Sequence, residues 1–147
     1  MGAHLWFYFV PYEPDIDQAL QRLKRREFSA GRYNPVIPFP RFPIDSHSPS
    51  PGSRHGSIEE AVELSAPDGT RSILDMHGIS EKRKHGWVTG LSEERLRGLF
   101  GTTQPTREMI ESAGELPQIL DRGVGIFVIV YTLSRRSEIF FAGYSYD

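Results

Sequence analysis

Two apolar runs near the ends of the chain predict its main strands. Residues His4 to Val10 are aromatic and β-prone and end at Pro11, which predicts a strand buried on at least one face. Residues 123–147 form an apolar run, a short polar turn and a second aromatic run. This pattern predicts a buried strand and a second strand joined by a tight turn. The last two dozen residues should therefore form the centre of a sheet.

Helical spacing and capping residues predict helices between these runs. Asp15 is a good N-cap with Gln18 completing a capping box, and Gly31 is suited to end the first helix. The polar face of that helix, with Lys24 and its arginine neighbours, is expected to be solvated. Further helices are predicted over Ser57–Leu64, Ser92–Gly101 and Thr106–Ala113, and further strands over Thr70–Met76 and Trp87–Thr89.

Six of the eleven prolines fall between residues 32 and 56. Because proline donates no amide hydrogen and fixes its own backbone, neither a helix nor a central strand is expected there. A loop of this length inside a domain is often functional or loosely ordered. We expect its first half to be extended with apolar side chains lying on the domain, and its second half to be mobile.

The order of elements predicts an α+β fold: a single globular domain over residues 1–147, with a long proline-rich loop at 32–56. The sheet is expected to be mostly antiparallel, with about four to five strands and helices packed on it. The length suits one hydrophobic core. The chain contains no cysteine, which excludes disulfides and thiolate chemistry and agrees with a reducing, cytoplasmic location. The N-terminal apolar run is too short to cross a membrane.

Familiar catalytic and phosphate-binding motifs are absent from the sequence. Asp75 and His77, two residues apart in a predicted strand, would lie on one face, where a carboxylate could orient a general base. With Arg32 to bind an anionic group, they suggest a small hydrolase or transferase as an alternative function. The competing interpretation places Asp75 and His77 at a solvated strand end, and has Arg32 neutralising the end of a helix.

Metal and nucleic-acid binding are not expected. Asp45, His47 and His55 are chemically competent ligands, but their spacing matches no metal signature, so we expect no metal and no cofactor. Three basic tracts, 24–26, 82–84 and 135–136, would support an RNA-binding module as a second alternative. The net charge of −2 makes nucleic acid an unexpected partner.

Aromatic side chains near the ends of elements are the best candidates for contact with a partner, since aromatic residues are enriched at interfaces. The candidate binding residues are Tyr12, Tyr33, Phe39, Phe42, Tyr144 and Tyr146. Together with the missing catalytic motifs, they favour a non-enzymatic binding or accessory protein, of the kind that immunity proteins and antitoxins represent. Its partner would be another protein, homo-oligomerisation is possible, and no membrane association is expected.

Three stretches, Trp6 to Tyr33, Leu91 to Thr106 and Glu138 to Asp147, together resemble a group of small bacterial single-domain proteins with no assigned activity. The resemblance covers most of the chain. It implies a single bacterial domain and transfers no catalytic residue.

Overall fold

A computed structural model describes residues 4–37, 43–114, 116 and 120–145. Over these residues the chain forms four strands, four α-helices and one 3-10 turn. The strands are β1 (Leu5–Pro11), β2 (Val88–Gly90), β3 (Gly125–Thr132) and β4 (Arg135–Tyr144). The helices are α1 (Ile16–Ala30), α2 (Ile58–Leu64), α3 (Glu93–Phe100) and α4 (Arg107–Glu111), and the 3-10 turn is Ile73–Asp75. The predicted α+β class is confirmed.

The sheet has the strand order β1-β4-β3-β2. Antiparallel pairing joins β4 to both β1 and β3, whereas β2 runs parallel to β3. The two C-terminal strands therefore occupy the centre of the sheet, as the apolar C-terminal run predicts. Because β4 pairs with both β1 and β3, it joins β1 to the rest of the sheet.

Side chains alternate between the two faces of the sheet and divide the core into two clusters. The first face, which packs against α1, α2 and the 3-10 turn, has Trp6, Tyr8 and Phe141 among its buried residues. The second face, which packs against α4 and Leu116, includes Val128, Phe140 and Ala142. Because α3 and α4 are short and no residue of α3 is buried, the helices cover the second face incompletely.

Glycines let the indole of Trp6 lie flat against the sheet. A Cβ atom at Gly143 would lie 2.9 Å from Cε2 and Cη2 of the indole ring, and one at Gly125 would lie 3.1 Å from the same Cη2. The first distance is shorter than real Cβ contacts and the second is unusually tight, so a larger residue at Gly143 would displace the ring. The Gly123–Gly125 segment thus relieves crowding at the entrance of β3.

Capping residues start and end the helices where the sequence predicts. Asp15 accepts a hydrogen bond from the Gln18 amide, and Gly31 ends α1 in the left-handed conformation, with φ of 74°. Ser57, Ser92 and Thr106 cap the other three helices in the same way. The expected solvated face of α1 is wrong at one position: Lys24 is buried, and desolvation lowers its pKa.

The predicted strand over Thr70–Met76 is wrong, because short-range polar contacts fold this segment into turns. The Ser72 hydroxyl accepts a hydrogen bond from the Leu74 amide and caps the 3-10 turn. The carboxylate of Asp75 turns back to accept hydrogen bonds from the amide and hydroxyl of Thr70, at 2.8 and 2.7 Å. Such local side-chain bonds compete with strand pairing.

Several hydrogen bonds attach the described part of the proline-rich loop to the domain. Ile44 pairs with the edge of β1 through hydrogen bonds to Leu5 and Phe7. The Gly52 amide donates to the Ala30 carbonyl at the end of α1, at 2.9 Å. The Asn34 amide donates to the Thr70 carbonyl at 2.8 Å. Within the loop itself, the Tyr33 hydroxyl lies 2.6 Å from Nδ1 of His55. No helix among the described residues is long and apolar enough to cross a membrane.

Candidate functional site

The three candidate catalytic residues contact different neighbours. Arg32 donates hydrogen bonds to the Glu27 carboxylate and to the carbonyl of Ser48, at 2.7 and 3.0 Å. Asp75 binds the Thr70 segment, and burial raises the pKa of its carboxyl group. His77 is exposed, with its ring tilted against Trp87. No described hydrogen bond joins any two of the three, so the hydrolase or transferase hypothesis stays a prediction without an assembled site.

A buried ion cluster holds the end of α1 against the proline-rich loop. The Glu27 side chain is fully buried, and its Oε2 atom receives hydrogen bonds from Arg26 at 3.0 Å and Arg32 at 2.7 Å. Burial and the nearby Glu27 charge raise the pKa of Tyr8 well above its ordinary value. Tyr33, also fully buried, stacks on Phe28 with ring centres 5.7 Å apart. The buried ring of Tyr33 therefore cannot contact a partner unless the residues around it rearrange.

No described hydrogen bond joins the side chains of Asp45, His47 and His55, the loop residues that are chemically competent metal ligands. The Asp45 carboxylate accepts a hydrogen bond from the His47 amide, and the His55 ring contacts Tyr33. Over the residues that the structure describes, no group of three or more histidine or acidic side chains could hold a metal ion.

The remaining candidate aromatic residues lie at two ends of the sheet. Tyr12 is half-buried under the guanidinium group of Arg136, which lies 5.8 Å from its ring centre. Tyr144 is half-buried at the end of β4 and packs on the second face. Phe39, Phe42 and Tyr146 lie outside the described residues.

An apolar cleft lies on the second face, between β1, β4 and the segment that follows α4. Its volume is about 260 Å³. The residues that line this cleft are Leu5, Phe7, Phe9, Ile110, Glu111, Ala113, Leu116, Leu120, Phe140 and Ala142. Ten described residues contribute, and Glu111 is the only ionisable one among them. Within the described part of the chain, the five residues of α4 and the turn after it leave this part of the sheet uncovered.

A second cavity of about 240 Å³ adjoins this cleft and forms its mouth. The two cavities share Phe7, Phe9 and Glu111. The other residues lining the mouth are Tyr8, Asp45, Ser46, His47 and Arg107. An apolar cleft therefore opens beside a polar mouth, and the Ile44 pairing with β1 brings the proline-rich loop to its rim.

Arg107 lies at the boundary between the cleft and its mouth. Its guanidinium carbon is 4.1 Å from the ring centre of Phe9. The same group donates to Glu138 at 3.0 Å and lies 3.6 Å from Glu111. Arg107 pairs with both Glu138 and Glu111, and Asp45 also lines the mouth, so these four side chains together carry an excess of negative charge.

The cleft can bind apolar groups but offers no described nucleophile or paired acid and base. Sequence patterns missed it because they identify apolar residues without showing which helix covers them. The available signal was the alternation of Leu5, Phe7 and Phe9 in an edge strand, together with the shortness of the helices beyond Ser92.

No family model, curated protein or solved structure matches this chain, so no relative supplies a function for the cleft or its residues.

Proposed function

We propose that this chain is a non-enzymatic binding protein that takes an apolar anchor side chain of a partner protein into the cleft on the second face. The observation that carries the proposal is the aromatic, concave lining of the cleft beside an acidic mouth. Interfaces between proteins concentrate their binding energy in a few side chains that fill pockets of this kind.

The size of the cleft favours an anchor side chain over a free small molecule. At about 260 Å³ it lies below the range of roughly 300–1,000 Å³ that is usual for small-molecule sites. One large or two medium apolar side chains suffice to fill it. Their burial would contribute about 1.5–3 kcal/mol each, before the entropy lost on binding is counted.

The charge at the mouth indicates which kind of residue lies next to the anchor side chain in the partner. Asp45 and Glu111 line the mouth, and the single cation of Arg107 is shared between Glu111 and Glu138. A basic residue next to the anchor would meet these carboxylates, which would speed association and favour one orientation. The absence of cysteine from the sequence supports a cytoplasmic setting for this encounter.

A matched pair of substitutions tests the proposal. Ala113→Phe places a ring into the cleft from its half-exposed rim, whereas Ala66→Phe adds the same ring at an exposed position outside the cleft. Immobilised wild type and both variants are exposed to a lysate of the source organism, and captured proteins are quantified by mass spectrometry. Each candidate partner is then purified and titrated by calorimetry.

We expect at least one purified partner to lose ten-fold or more in affinity with Ala113→Phe and to keep wild-type affinity with Ala66→Phe. The partner's binding segment should contain an apolar residue next to a basic one. Equal affinity for all three proteins, or a partner that binds through the first face, would contradict the proposal.

A further inference from the structure

The turn between β3 and β4 combines backbone strain with an exposed apolar side chain. Leu133 and Ser134 both adopt left-handed conformations, with φ of 50° and 63°. Two-residue hairpin turns of this kind favour Asn and Gly, because other side chains meet steric resistance at positive φ. The Leu133 side chain is 92% exposed, so the fold gains no burial in return. Strain that the fold does not need points to a role outside it.

This turn lies at the end of a projecting two-stranded ribbon. On one side β1 ends at Pro11, opposite Glu138, and on the other side β2 ends at Gly90, opposite Phe127. The last residues of β3 and the first of β4 therefore extend beyond both neighbouring strands. The hairpin tip, defined as residues 132–136, is accessible from several directions.

Two arginines follow the apolar residue of the hairpin tip, two and three positions along the chain. Arg135 and Arg136 are both exposed, and the Arg136 guanidinium lies 3.5 Å from the Tyr12 hydroxyl. The hairpin tip thus presents one apolar side chain beside two cations. One apolar residue and two positive charges are too few for stable membrane anchoring, which needs a longer apolar insertion or a larger basic patch.

We propose that the hairpin tip of one copy of this chain binds the cleft of a second copy, so that the protein self-associates. The proposal rests on the function proposed above, since it uses the same cleft. Leu133 supplies the apolar anchor, and Arg135 and Arg136 meet the carboxylates of Asp45 and Glu111 at the mouth. The complementarity is both in polarity and in charge.

In this form of self-association, a second copy of the chain and any other partner would compete for the same cleft. A partner that carries an apolar residue beside a basic one would displace the hairpin tip from the cleft. If the contact is made reciprocally by two copies, a closed dimer results, whereas a one-way contact would produce longer chains.

Sedimentation velocity of the full-length chain, from micromolar to about millimolar concentration, tests the proposal. Wild type should show a weight-average mass that rises with concentration and falls when salt is raised. Leu133→Asn removes the anchor and supplies a residue that tolerates positive φ, so the fold is retained. It should weaken association by about 30-fold. Ala113→Phe should weaken it similarly, and Ala66→Phe should leave it unchanged.

A mixing experiment identifies the two halves of the contact. Leu133→Asn retains its cleft and Ala113→Phe retains its hairpin tip, so a mixture of the two should associate although neither does so alone. Fluorescence-detected sedimentation of one labelled variant in an excess of the other measures this restored contact.

A wild type that remains monomeric throughout, or a Leu133→Asn variant that associates as strongly as wild type, overturns the inference. Binding to vesicles of anionic phospholipid that depends on Leu133, in a protein that stays monomeric in solution, also overturns it. If the protein is monomeric but its affinity for a purified partner still falls with Ala113→Phe, only the self-association fails. If Ala113→Phe changes neither, both proposals fail.

Discussion

Two glycines with the same backbone conformation provide a sharp test of how the proline-rich loop is held. Gly31 ends α1 and Gly101 ends α3, both with φ of 74°. A Cβ atom at Gly101 would meet nothing within 4 Å. At Gly31 it would lie 2.7 and 2.9 Å from the carbonyl carbon and amide nitrogen of Gly52. The two sites therefore differ mainly in the contact with the loop.

The magnitudes follow from the two environments. Alanine in a left-handed conformation costs about 1 kcal/mol, and Gly101→Ala should lower the free energy of unfolding by that amount. Gly31→Ala carries the same conformational cost plus a steric cost against the loop backbone, which overpacking data place at about 1–3 kcal/mol. We therefore expect Gly31→Ala to destabilise the protein by about 2–4 kcal/mol, unless the loop detaches to relieve the clash.

Urea unfolding of both variants measures the difference in their free energies of unfolding. Hydrogen exchange shows whether Gly31→Ala keeps the loop in place against the clash or detaches it. The Gly52 amide donates to Ala30 and should be protected in wild type and in Gly101→Ala. In Gly31→Ala it should exchange faster. Equal destabilisation by the two substitutions, with equal protection of Gly52, would refute the packing of the loop on α1.

Three further substitutions, one of them with a matched control, test other parts of the fold. Gly143→Ala should lower the free energy of unfolding by about 2 kcal/mol, because its Cβ atom would overlap the indole ring of Trp6. Its control, Gly98→Ala, has open space in α3 and should raise that free energy by up to about 1 kcal/mol. Urea unfolding curves of the two variants measure the difference. Asp75→Asn removes a carboxylate whose pKa is raised by burial. In wild type, folded protein therefore binds the Asp75 proton more tightly than unfolded protein does. As the pH rises above about 4, wild type should lose stability relative to this variant. A difference in stability that does not change with pH would argue against the burial of Asp75. Glu27→Gln leaves Arg32 without its counter-charge and should cost about 3 kcal/mol by thermal unfolding; an unchanged melting temperature would be incompatible with the buried ion cluster.

Elements whose signals are local were predictable from the sequence. Asp15 and Gly31 set the ends of α1 because capping depends on a few adjacent residues. The C-terminal hairpin was predictable since its apolar content requires burial on both faces. The turns of segment Thr70–Met76 were not predictable, because its apolar pair also suits a strand. The hydrogen bonds between Thr70 and Asp75 that form the turns depend on side-chain geometry.

The candidate site was less accessible to prediction, because it arises from what the helices leave uncovered. The alternation of Phe7 and Phe9 predicts an apolar face of β1, but the shortness of α4 determines whether that face is covered or open. From the sequence, Arg32 was a candidate for binding an anionic group and Tyr33 a candidate for contact with a partner. In the fold they join the buried contacts that hold that loop.

The most direct test of the binding cleft is a methyl NMR titration of the full chain with a short cyclic peptide in which one leucine is flanked by arginines. Binding in the cleft predicts shift changes at the methyl groups of Leu5, Ile110 and Ala142, which line it, with those of Ile73 and Leu74 on the first face unchanged. The shifts should saturate, and Ala113→Phe should abolish them. Changes centred on Ile73 and Leu74, or none up to millimolar peptide, would contradict the account.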